Sequence, residues 1–78
     1  MNITKHAFER MSERGITVEM LSSLLKGKKY IRKTRNGRFI IIGKADSKLW
    51  SIITDSDLYT VITVRRSHED EEELWILK

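Results

Sequence analysis

Gly27 marks a change of hydrophobic period, and this switch restricts the fold more than any other feature of the chain. Before it, apolar residues recur at helical spacing; after it, they gather in short β-rich runs separated by turn residues. With 78 residues the chain supports one core only. Helices and strands that share one core must pack face to face. The expected fold is therefore α+β, with two N-terminal helices packed on a four-stranded antiparallel sheet and a short helix at the C-terminus.

Thr4 is placed to cap a helix over residues 5–14, and Gly15 suits the left-handed position that ends it. Ala7, Phe8 and Met11 supply its core side. Thr17 caps a second helix over 18–26, with Val18, Met20, Leu21, Leu24 and Leu25 on one side and Gly27 as the stop. The predicted strands are residues 30–34, 39–42, 49–54 and 58–64. Asn36-Gly37 is the strongest hairpin signal, Asp46-Ser47 a weaker one and Asp55-Ser56-Asp57 a third. The run Phe39-Ile40-Ile41-Ile42 lacks alternation and reads as a central strand covered on both faces, or covered by helices on one face and by a partner on the other. On the last strand, Leu58, Thr60, Ile62 and Val64 read as core, and Tyr59, Val61, Thr63 and Arg65 as the outward face.

Charge divides the chain into residues 1–66, the α+β domain, and residues 67–78, an acidic tail. The first part holds fourteen Lys/Arg against six Asp/Glu, and the second one Lys against five acids. Ser67 with Asp70 resembles a helix start, and the acids at 69–73 suit the positive end of a helix dipole. Opposite in sign to the body, these acids can fold back over a basic groove in place of phosphate. Leu74, Trp75, Ile76 and Leu77 then either cover the sheet or form a homodimer contact.

The chain lacks cysteine, and its N-terminal residues are interrupted by Lys5, His6, Glu9 and Arg10 before any apolar run develops. A cytoplasmic protein without a membrane segment is expected. His6 and His68 are the only histidines, so neither metal nor other cofactor is expected. Lys26, Lys28, Lys29, Arg32, Lys33, Arg35 and Arg38 fall within thirteen residues that contain no acid, the footprint of a polyanion contact. Tyr30 and Phe39 lie close enough in sequence to stack on bases. RNA is the partner these features favour; the plainer alternative is a solvated hairpin whose charges protect an edge strand.

His6, Arg10 and Arg14 follow one another at helical spacing along the rim of the first helix. A neutral imidazole there can take the proton of a ribose 2′-hydroxyl, and two fixed guanidinium groups can stabilise the phosphorane, with no metal required. The plainer reading is surface pairing of the arginines with acids such as Glu13. Thr63 and Arg65 are secondary candidates on the sheet face.

The segment His6-Ala7-x-x-Arg10-Met11-x-x-Arg14-Gly15-Ile16, followed by a short helix and a small sheet ending in Val61-Ile62-Thr63-Val64, resembles a bacterial and phage group of small domains of unknown function. That group is similar to the barnase, colicin and RelE-type superfamily of metal-independent RNases, which includes toxins of toxin–antitoxin systems. The resemblance implies an endoribonuclease toxin with His6, Arg10 and Arg14 on its signature helix, Thr63 on its last strand, and an antitoxin or host protein as partner. The alternative is a non-enzymatic phage or bacterial binding module that inhibits or regulates a host nucleic-acid machine.

Overall fold

Thr4 and Thr17 open the two N-terminal helices by the same device. Each has an extended backbone, and its hydroxyl accepts the backbone N–H three residues on, from Ala7 and Met20, at 3.1 Å in both cases. The helices span Lys5–Glu13 (α1) and Val18–Lys26 (α2) in the computed structural model, which describes residues 1–77. Gly15, at φ 71°, turns the chain between them, and the Ile16 N–H closes the turn on the Met11 carbonyl.

The sheet has five strands, β1 (Asn2–Ile3), β2 (Lys29–Lys33), β3 (Phe39–Ala45), β4 (Lys48–Thr54) and β5 (Thr60–Arg66), in the order β1-β5-β4-β3-β2. β1 runs parallel to β5; the other pairs are antiparallel. This corrects the expectation of four antiparallel strands, because the sheet has a fifth strand and that strand pairs in parallel. Asn2 and Ile3 are too few to display a period of two, and they become a strand only because the far end of the sequence brings β5 beside them. The short helix expected at the C-terminus is α3 (Glu69–Leu77), which packs on the opposite side of the sheet from α1 and α2, so the sheet is the middle of three layers.

One face of the sheet carries the main core. Ala7, Met11, Ile16, Leu21 and Leu24 from the helical layer meet Ile41, Trp50, Ile52, Val61 and Val64 from the strands. Gly43 lets α2 approach: a Cβ there would lie 3.1 Å from Leu24 Cδ2. Phe8 and Val18, expected in this core, are exposed because their positions on the helices turn away from the sheet, and with Met11 and Ile16 they line a shallow apolar groove.

Two hairpin turns sit at the expected residues but rank differently. Asp46 and Ser47, at φ 53° and 61°, make the two-residue turn between β3 and β4, the backbone twist a tight hairpin requires. Asn36-Gly37 lies in the longer connection between β2 and β3, with Gly37 at φ 82°. The third turn corrects the assignment of Leu58 to a strand core. Leu58 is exposed at φ 57°, and Asp57 fixes the loop by accepting the Tyr59 and Thr60 N–H groups at 2.9 Å. Bonding to the Thr60 N–H, the Tyr59 N–H and the Thr60 hydroxyl holds the Asp57 carboxyl below its ordinary value.

Candidate nucleic-acid interface

A bulge in β5 decides which side chains reach the second face of the sheet. Thr54 pairs with Val61 and Ile53 with Thr63, so Ile62 is an extra residue and the alternation of β5 shifts there. Val61 and Val64 therefore both enter the main core. This corrects the reading in which Val61 shared the outward face with Thr63 and Arg65. Past the bulge, Thr63 and Arg65 pair with Ile53 and Ser51, the residues flanking core residue Ile52, and so lie on the face away from α1 and α2.

Strand register arranges that face in two rows. One runs Arg32, Ile40, Ile53, Thr63 from β2 to β5, and the next runs Tyr30, Ile42, Ser51, Arg65. α3 covers the second row: Ile42 is fully buried although it is not part of the main core cluster, and Lys28 stacks 5.0 Å from the centroid of the Trp75 ring on α3. The first row stays open, with Arg32 exposed and Ile40, Ile53 and Thr63 half-buried. A basic end, two isoleucines and a threonine hydroxyl make a flat amphipathic surface. The central strand β3 is thus covered on both faces at Ile41 and Ile42 but not at Ile40.

Arg65 is the most tightly held of the candidate residues. Its Nη1 and Nη2 donate to Oε1 and Oε2 of Glu71 at 2.7 and 2.8 Å. Glu71 also accepts from the Ser51 hydroxyl at 2.9 Å and from the His68 N–H at 2.8 Å, and the Ser67 hydroxyl lies 2.9 Å from that of Ser51. Burial pushes the Glu71 carboxyl up, but the Arg65 guanidinium, the His68 N–H and the Ser51 hydroxyl outweigh it and hold the group at about 2. The same carboxylate raises Arg65 further above its ordinary value. The helix start is thus His68 with Glu71 rather than Ser67 with Asp70. Ser51, Ser67 and Glu71 were missed as site residues: Glu71 three places after His68 has capping-box spacing, but the pairing of Ser51 with Arg65 exists only in the register.

The α1 candidates lie in the other layer. His6 is exposed in the first turn. Arg10 pairs with Glu13 at 2.8 Å, the surface pairing named as the plainer reading. Arg14 Nη1 donates to the Val64 carbonyl at 3.1 Å, and the Thr4 hydroxyl donates to the Ile62 carbonyl at 3.3 Å, so both satisfy the length of β5 that β1 is too short to pair. α1 packs against β5, but it and the strand present His6, Arg10 and Arg14 on one side of the sheet and Thr63 and Arg65 on the other.

The basic run is also distributed. Lys29 Nζ is bonded to the Leu25 carbonyl at 2.7 Å, and Lys28 is engaged by Trp75. Lys26 ends α2, and Lys33 and Phe39 pair with one another on the face toward the helices. Arg35 and Arg38 are exposed around the β2–β3 turn. Arg32 and the turn arginines remain as exposed cations beside the open row. No helix among the described residues is long and apolar enough to cross a membrane.

With this geometry in place, comparison with known proteins assigns the chain to a family. It belongs to the domain of unknown function family DUF4258, whose model matches residues 3–66, ending at the last residue of β5 and leaving out α3. The comparison with curated proteins gives no match, and the comparison with solved structures gives none either.

Proposed function

We propose that the chain is an RNA-binding protein whose open half of the second sheet face takes a single strand of RNA. The observation that carries this reading is the row Arg32, Ile40, Ile53, Thr63, left partly exposed close to the turn that bears Arg35 and Arg38. Apolar side chains on a flat sheet accept the faces of unpaired bases, and cations at its margin accept the backbone. Charge excess alone would fit any polyanion; the apolar strip of Ile40 and Ile53 between the cations and the Thr63 hydroxyl favours a strand with unpaired bases. Thr63, aimed at this face by the bulge, supplies a hydroxyl to a base or a sugar.

The second reading, a metal-independent endoribonuclease of the RelE-like toxin type held in check by an antitoxin, is favoured by one observation. His6 is exposed at the start of a helix whose cap is bonded to β5, one turn before Arg10. Cleavage there would use His6 as the base for the 2′-hydroxyl. The engagement of Arg10 by Glu13 and of Arg14 by Val64 favours binding without cleavage over this reading.

Titration of a labelled single-stranded RNA, with gel analysis of its integrity, tests both. Arg32→Gln with Arg38→Gln is expected to weaken binding about tenfold and to lower the salt dependence by about one ion per cation removed. Unchanged affinity in that double variant would refute the sheet-face reading. Cleavage that disappears in His6→Ala would carry the endoribonuclease reading, and intact RNA with every form of the protein would exclude it.

A further inference from the structure

Glu71 is a buried carboxylate that reaches across from α3 to groups on the sheet, and its partners have the geometry of a phosphate site. Arg65 offers a two-pronged guanidinium from β5, Ser51 offers a hydroxyl from β4, and Ser67 stands one hydrogen bond behind Ser51. None of these three belongs to α3. Ser67 is tied to the sheet by its N–H bond to the Leu49 carbonyl at 3.0 Å, so the cradle stays with the sheet if α3 lifts about His68. The family match includes Ser51 and Arg65 but stops before Ser67 and Glu71.

The cradle is also in line with the open face. Arg65 follows Thr63 on the same face of β5, one strand repeat away, about 7 Å. A strand of RNA lying over the Arg32–Thr63 row would meet the first turn of α3 where a next phosphate would fall on Arg65. Attachment of α3 is asymmetric: Glu71 is 4% exposed, whereas Ile76 and Leu77 are 77% and 83% exposed. The helix is held through its first turns and Trp75, not through a continuous apolar face.

We propose that Arg65, Ser51 and Ser67 form a phosphate subsite of the RNA-binding face which the chain fills with its own Glu71 carboxylate, α3 being a cover that RNA displaces. This rests on the RNA reading of the open row and extends it by one subsite. The Glu71 carboxylate takes the place of two phosphate oxygens on Arg65, and the His68 N–H, which Glu71 also caps, is freed when the cover leaves.

The test is titration of the full chain, Glu71→Gln, and Glu71→Gln with Arg65→Gln with a short labelled single-stranded RNA, together with inorganic phosphate titrations followed at the Arg65 guanidinium by NMR. Glu71→Gln is expected to bind RNA about tenfold more tightly than the parent, and Arg65→Gln to cancel the gain. Trp75→Ala, which loosens α3 with Glu71 in place, should give a smaller gain in the same direction and keeps the test usable if Glu71→Gln fails to fold. If the parent binds RNA and none of these variants binds it more tightly, the cover is refuted while the RNA reading stands. If neither parent nor Glu71→Gln binds RNA, the RNA reading falls. Phosphate shifts at Arg65 that appear only in Glu71→Gln would then support the subsite, and their absence would overturn it.

Discussion

Replacing Glu71 by Gln should cost about 2 kcal/mol of stability at neutral pH, and the cost should fade in acid. The carboxylate accepts four hydrogen bonds, two from Arg65 and one each from Ser51 and His68. An amide has a single acceptor oxygen and turns a donor NH2 toward one of the Arg65 donors. The group titrates at about 2 in the folded chain against 4.5 as its ordinary value, a difference worth about 3 kcal/mol at most. The Arg65 side chain is 24% exposed, so water screens part of the attraction and about 2 kcal/mol remains. Because the folded value lies below the unfolded one, this contribution is complete above pH 4.5 and is lost as pH falls toward about 2. Urea unfolding of parent and variant at pH 7, 5 and 3, followed by circular dichroism, measures the gap directly. It should be about 2 kcal/mol at pH 7 and less than about half of that at pH 3. A gap below about 0.5 kcal/mol at pH 7, or one that does not change with pH, would refute the reasoning.

The other predictions concern packing and turns. Gly43→Ala should destabilise by about 1 kcal/mol, because the added methyl lands 3.1 Å from the buried Leu24 side chain; equal or greater stability in urea unfolding would mean that α2 yields freely. Ser47→Gly should stabilise by about 0.5–1 kcal/mol by relieving the left-handed backbone at φ 61°, visible as a rise of a few degrees in Tm. Arg14→Met should destabilise by about 1 kcal/mol through loss of its bond to the Val64 carbonyl, and thermal melts that coincide with the parent's would remove that role.

Both N-terminal helices and their threonine caps could be read from the sequence because capping and helical period are local. The basic hairpin region and its turn residues were legible for the same reason. β1 was not, since two residues have no period and their partner is β5 at the far end of the chain. The bulge at Ile62 was hidden as well: strict alternation along β5 gives the right outward face for Thr63 and Arg65 but the wrong one for Val61, and only the register with β4 exposes the shift. The acidic tail's opposite charge foreshadowed a contact with the basic body. That the contact is Glu71 on Arg65 depends on where α3 crosses the sheet, which no local pattern encodes. The charge run at 26–38 overstated the number of free cations, because side chains close in sequence diverge once β2 alternates and Lys28 and Lys29 find partners.

The proposed site for RNA is the sheet face opposite α1 and α2. Backbone and methyl NMR shifts recorded while a single-stranded RNA is titrated into the full chain test it most directly. Perturbations are expected at Arg32, Ile40, Ile53 and Thr63, spreading to Arg65 and α3 as the cover is displaced. Perturbations confined to α1 and α2, or none at saturating RNA, would contradict it.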